Sequence, residues 1–428
     1  MSKKSFQATT LNNGLRVVTD YLPGLQLASA RWVLRAGSDR DIKPGTAHFL
    51  EHLLGSGHEA DPNYDLGVST KNWGASVNLS TGGSVTFASI DGLERRVLQH
   101  LTSMGNMVCR PLLAEDEIEK QRQIIRQEFL KYESDDLDIF TRARLRACYP
   151  NAPFSRPILG TLEDIMSMTR QDLIDYKDRN YLSGDMCVFV SGSIPHERAV
   201  DIVGESFDNI IVGKNQPLST PQFNTDKSSV NIYKDSPAQK IHIVFPLSSL
   251  SEKEMSGFNT ICKMLDFGLN EYLRNKKISY GSDIYFIDGL ARSAIHIRYE
   301  TESSQVERSF DEIRSFFERA SSFFNEEDYA GMMEKIEKYN AEGDMKPDSR
   351  IARMMYYFSD YQKIDTPESI KGKTLPVSRT ELDSYLDRFM SITPKVFGMG
   401  PRNDLPSFRF NNSTSLPTPK MNIGIDLK

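Results

Sequence analysis

Long apolar runs are missing from this sequence. Nothing in it approaches the roughly 20 consecutive residues that a membrane-crossing helix needs, so no membrane span is expected. The opening residues, Met1 to Thr10, hold two lysines but no apolar stretch behind them, and do not read as a secretory signal. Cysteine is scarce: Cys109, Cys148, Cys187 and Cys262 lie far apart, with no C-x-x-C pair. That spacing speaks against a disulfide framework and for reduced thiols, and a reducing cytoplasmic setting is the simplest compartment. Basic blocks are absent as well. The formal net charge is −6, and no Lys/Arg-rich segment is available to follow a phosphate backbone, so a nucleic-acid partner is not expected. There is no G-x-S-x-G and no cysteine in a nucleophile setting, which leaves serine and cysteine hydrolases without their chemistry.

What is present is a globular composition, 39% hydrophobic and 26% charged. The length of 428 residues suggests roughly two to four domains. In the first half, strand-like runs at 7–20, with the turn Asn12-Asn13-Gly14 inside it, and at 25–36 precede short helical stretches at 45–54 and 63–73. An alternating hairpin spans 75–91, turning at Thr81-Gly82-Gly83-Ser84. Helices follow at 93–108 and 114–131, with more helix to Cys148 and again at 170–179, before a buried strand at 185–192. The second half repeats the order: strands at 229–246, a helix at 252–276, and a strand-rich stretch at 278–300 turning at Asp288-Gly289. Helices at 306–321, 325–342, 348–362 and 379–389 and a closing strand at 395–399 complete it. The expected fold is α+β, two similar domains, each a mostly antiparallel sheet covered by helices. The expected boundaries are 1–212 and 228–428, with 213–227 as linker and a loosely packed tail after Arg402.

The most informative residues are His48-Phe49-Leu50-Glu51-His52. On a helix, His48 and His52 stand one turn apart on one face, and Glu51 lies beside them. Two imidazoles so placed can grip one cation, and the carboxylate can serve as base to a water. An unpartnered group of this kind in the apolar run Ala47–Leu54 would be costly to bury. A catalytic zinc needs a third protein ligand. Glu128 is a candidate, because Ile118, Gln121, Ile125, Glu128 and Tyr132 step by three and four along a mostly apolar helical stripe. Its partner there is either a cation between the histidines or one of Arg122 and Arg126.

The run Gly45-Thr46-Ala47-His48-Phe49-Leu50-Glu51-His52 resembles the signature of the pitrilysin, or M16, metallopeptidases. So do Glu119–Glu128, Gly74–Thr81, Arg156–Thr161 and Asp185–Gly192, and Glu128 falls at the family's distance for its third ligand, counted from His52 to residue 128. The resemblance implies a zinc peptidase built as half of a clam-shell, with His48, His52 and Glu128 as ligands and Glu51 as base. It implies a peptide or unfolded polypeptide substrate that adds as a strand along Ala75–Thr81, where Ser76, Asn78 and Ser80 would contact it. It also implies a second chain of the same kind to close the chamber, a heterodimer being favoured over a homodimer. Two positions depart from the family. Gln121 stands where a glutamate beside the metal ligands is usual. Arg274 and Tyr280, which correspond to a substrate-orienting, oxyanion-stabilising pair, are six residues apart instead of seven and lack the usual glycine. The rival expectation is a non-catalytic or weakly active peptide-binding scaffold subunit of such a heterodimer.

Overall fold

The computed structural model describes residues 5–218, 221–224, 226, 229–247, 250–287, 293–320, 326–372 and 378–410. The turn expected at Asp288-Gly289, part of the 213–227 linker and the tail from residue 411 lie outside these residues. Contacts divide the chain into two compact units. The first comprises Met1–Asp135, Ala152–Ser219 and Ala341–Ile370; the second comprises Asp136–Asn151, Thr220–Asn340 and Lys371–Lys428. Two segments therefore depart from a simple split between 212 and 228, and each covers a sheet face in the unit that receives it.

In the first unit the strands are β1 (Phe6–Thr10), β2 (Arg16–Tyr21), β3 (Leu27–Leu34), β4 (Ser56–His58), β5 (Asp61–Asp65), β6 (Ala75–Thr81), β7 (Thr86–Leu93) and β8 (Met186–Gly192). Gly14 sits at φ +90, and the Asn13 side chain accepts from the Leu15 amide, which closes the β1–β2 turn. Six strands form one sheet in the order β1-β2-β8-β3-β7-β6. Every neighbouring pair is antiparallel except β2 and β8. One face carries Val17, Ala30, Trp32, Leu34, Ala88, Ile90 and Val188 against the helices Thr46–Leu54, Glu94–Cys109, Arg170–Asn180 and His196–Ser206. The alternate residues Val18, Val33, Cys187 and Phe189 face the other way, onto Ile351, Met354 and Phe358 of the helix Pro347–Tyr361. Arg350 of that helix binds Asp20 through Nη2 to Oδ1 at 2.9 Å, and both are buried.

In the second unit β9 (Val230–Tyr233), β10 (Ala238–Pro246), β11 (Ser282–Ile287), β12 (Ala294–Glu302) and β13 (Lys395–Gly400) form a sheet in the order β11-β12-β10-β13-β9. Only β9 and β13 pair in parallel. Ile241, Ile243, Phe245, Ile295 and Ile297 pack on the helices Glu252–Asn275, Val306–Glu318 and Arg379–Met390. The opposite face is polar. His242 and His296 meet there at 2.9 Å, Tyr285 stacks on His296, and Phe140 from the helix Asp136–Cys148 packs on His242. Both units are thus α+β with mostly antiparallel sheets. The helices Leu162–Ser167, His196–Ser206 and Pro367–Gly372 are additional to those expected. Among the described residues no helix is long and apolar enough to cross a membrane.

Candidate metal centre

The helix Thr46–Leu54 starts on a backbone that only glycine suits. Gly45 sits at φ +88, and a Cβ there would meet the Leu159 carbonyl oxygen at 2.4 Å. Glycine offers no capping side chain, and Asp41 supplies one from the preceding loop. Its two carboxylate oxygens accept from the Gly45 and Ala47 amides, each at 2.9 Å. Two of the donors left over at the helix start are satisfied in this way. Burial pushes the Asp41 carboxyl up to about 7, against the pull of those two amides. The helix that follows is buried along nearly its whole length, His48 and Glu51 included.

The second contributor is the helix Glu115–Ser134, which packs against the first. Glu128 places Oε2 3.4 Å from His52 Nε2 and 3.6 Å from His48 Nε2. The two imidazole centroids are 4.7 Å apart, with their planes inclined at 65°. The three ligand atoms lie within 4.8 Å of one another, and among the described residues no other group of three metal-binding side chains is so arranged. The separations are long for hydrogen bonds. They suit the edge of a tetrahedron instead, which is about 3.3–3.4 Å when each ligand stands about 2.0–2.1 Å from a zinc ion. Two imidazoles and one carboxylate gathered in this way are a donor set that fits a zinc ion. Of the two arginines that could have claimed Glu128, Arg122 is engaged elsewhere. Its nitrogens donate to the Ile165 and Met168 carbonyls and to Glu119, and its guanidinium lies over the Phe49 ring.

The charges agree with that geometry. Burial and the neighbouring His52 push His48 down to about 4, so its imidazole is neutral and has a lone pair to give. Burial also lowers His52, but Glu128, Glu51 and Gln121 more than offset it and raise it overall. Contact with His52 holds the Glu128 carboxyl below its ordinary range despite partial burial. Glu51 is buried one residue before His52, and it senses both His52 and Thr81 at the end of β6. Burial raises its carboxyl, against the opposing pull of Thr81 and His52. Tyr181, buried against Trp32, senses the Glu51 charge. A desolvated carboxyl beside a cation site is suited to taking up and releasing a proton.

Of the residues expected along the strand, Ser76 and Asn78 are exposed and Ser80 is half-buried. All three lie on β6, an edge of its sheet, which ends at Thr81 against Glu51. Gln121 is buried, with Oε1 3.2 Å from His52 Nδ1. Arg274 and Tyr280 belong to the second unit and stand together. The guanidinium donates to the Tyr280 carbonyl at 2.9 and 3.1 Å and lies over its ring, which is 89% exposed. Tyr280 lies in the loop before β11. Sequence reasoning missed Asp41, Thr81 and Tyr181. An aspartate four residues before a glycine at a helix start was the one available signal, for Asp41.

Two family models match. Residues 16–162 match the model described as insulinase (peptidase family M16), and residues 167–336 match that of the peptidase M16 inactive domain. The beta subunit of the mitochondrial-processing peptidase of Neurospora crassa is 31% identical over 206 residues, 48% of this chain and 43% of that protein. An uncharacterized zinc protease of Mycobacterium leprae is 30% identical over 206 residues, 48% of this chain and 46% of that protein. The chain spans about half the length of these curated relatives. Among solved structures, a protease from Helicobacter pylori superposes with a TM-score of 0.81 at 16% identity, over 92% of this chain and 99% of that one. At that identity the likeness speaks for the fold.

Proposed function

The chain belongs to peptidase family M16, and from that premise we propose that it is a zinc-dependent endopeptidase hydrolysing peptides or unfolded precursor segments. The observation that carries this is the convergence of His48, His52 and Glu128 with a separate buried carboxylate, Glu51, beside them. His48, His52 and Glu128 would hold the ion. Bound there, zinc supplies Lewis acidity, lowering the pKa of a water toward about 7 and polarising a carbonyl. Glu51 takes the proton of the attacking water and passes it to the leaving amine. Substrate adds to the open edge of β6 as a further strand, positioned by Ser76, Asn78 and Ser80. The end of that strand at Thr81 then delivers the scissile carbonyl beside Glu51.

The Arg274–Tyr280 pair is the candidate for orienting substrate and stabilising the oxyanion, and the Tyr280 ring is exposed. Their spacing favours a heterodimer in which a second M16-like chain supplies the better-placed pair, and the relative from Neurospora is itself named as a subunit. All four cysteines are free and buried, which suits a reducing compartment, and we assign the chain to the cytoplasm on that ground. The test is zinc content and digestion of an unfolded peptide by the purified chain alone, beside Arg274→Ala and Tyr280→Phe. Zinc-loaded but feeble protein supports the heterodimer. Full activity that either variant destroys overturns it, and a chain that takes up no zinc overturns the peptidase reading.

A further inference from the structure

The metal-binding face of the helix Glu115–Ser134 continues past Gln121. One turn earlier on that helix, Glu117 accepts from Gln121 Nε2 through Oε1 at 2.7 Å. Ser56, just beyond the histidine helix, donates to the same oxygen at 3.0 Å. Lys120 Nζ lies 3.1 Å from both Glu117 oxygens. These donors hold the Glu117 carboxyl below its ordinary range, so it stays ionised despite some burial.

An ionised carboxylate only accepts, whereas a primary amide has one donating and one accepting end. Glu117 therefore fixes which way the buried Gln121 amide faces: Nε2 toward Glu117 and Oε1 toward His52 Nδ1. Facing a carbonyl oxygen, Nδ1 must carry the proton. The lone pair is then left on Nε2, the atom that looks toward Glu128. In the reversed orientation the amide would present a donor to Nδ1, and Nε2 would carry the proton where a cation should bind.

We propose that Glu117 is a positioning residue of the metal centre, acting through Gln121 to hold His52 in the tautomer that can bind zinc. The carboxylate missing at position 121 is supplied one turn away, with an amide as relay. The inference rests on His48, His52 and Glu128 binding zinc as proposed above.

Competition with a chromophoric chelator, on the full chain and with zinc alone, tests it. Glu117→Gln removes the fixed acceptor and frees the amide to turn, so zinc affinity should fall about 10- to 100-fold, the usual cost of losing a partner behind a ligand. Combining Glu117→Gln with Gln121→Glu puts the carboxylate directly against His52 Nδ1 and an amide donor behind it. Affinity should then return to within a few-fold of the unmutated chain. A purely structural role for Glu117 predicts no such rescue, and thermal unfolding of the metal-free variants controls for loss of fold. Unchanged affinity in Glu117→Gln, or a double variant no tighter than that single one, overturns the relay. Failure of the unmutated chain to bind zinc would sink the metal reading itself, and so is distinguishable.

Discussion

The two units share one strand order and almost nothing of its chemistry. Numbered from its first common strand, each sheet runs 1-5-2-4-3, as β2-β8-β3-β7-β6 and as β9-β13-β10-β12-β11, with a single parallel pair at the same place. In the first unit the chain between the second and third of these strands forms the histidine helix. In the second unit it forms Glu252–Asn275, whose buried side chains include Phe258, Ile261, Cys262, Met264, Leu265 and Leu269. One position in a fold thus carries two clustered histidines in one copy and plain core in the other. The opposite sheet faces reverse that contrast. The first unit packs the apolar Ile351, Met354 and Phe358 on its second face, whereas the second face of the other sheet carries His242, His296 and Tyr285, with Phe140 packed on His242. Topology settles where a helix lies; only the buried polar residues decide what is done there.

The largest effect should come from separating base from ligand inside the first unit. Glu51→Gln should keep one zinc per chain and cut cleavage of an unfolded peptide by roughly a hundredfold to ten-thousandfold. Glu128→Ala should lose the zinc as well, because an open catalytic site has no spare ligand. Zinc stoichiometry measured beside turnover checks both, and near-normal turnover in Glu51→Gln would erase the functional contrast between the units.

A smaller effect concerns ion pairs. Arg350→Ala leaves Asp20 buried without its cation, with only the Ser191 hydroxyl still donating to it, and should cost the first unit about 3–5 kcal/mol in urea unfolding. Arg298→Ala breaks the exposed pair with Asp283 in the second unit and should cost less than about 1 kcal/mol. Equal costs would mean that burial does not separate the two.

The smallest effect is a pH dependence of the second unit. Burial holds His242 and His296 well below the ordinary histidine range, so both are neutral in the fold. The unfolded chain binds protons near about 6.5. Stability from the neutral pair is therefore fully present above that pH and is lost as pH falls below it. Melting temperatures between pH 7.5 and 5.5 should drop, and the double change His242→Gln with His296→Gln should flatten the slope.

How much of this was legible beforehand varies with how local the cause is. The order of strands and helices along the chain followed from alternation and turn residues, and the H-x-x-E-H spacing put His48 and His52 on one helix face, where Glu128 joins them. Glu128 was half legible: periodicity put it on an inner stripe, yet its approach to His48 and His52 depends on how two helices pack. Glu117 was invisible, because its role arises where one helix meets the end of another at Ser56. The helix Leu162–Ser167 had a readable start in Thr161 and Asp164, which cap it reciprocally, but it is too short for periodicity to announce. His242 and His296 lie on separate strands, and only register brings them together.

The exchange of segments has a consequence for biosynthesis. The sheet of the first unit has all its strands once β8 ends at Gly192, but the helix that hides Val18, Val33 and Phe189 comes only with residues 347–361. A ribosome adding about 5–20 residues per second needs on the order of ten seconds or more to reach it. Throughout that interval an apolar sheet surface stands open to chaperones and to neighbouring nascent chains. For the same reason a fragment ending in the linker would be left with a sticky sheet instead of a finished domain, so neither half of the gene encodes a self-sufficient folding unit.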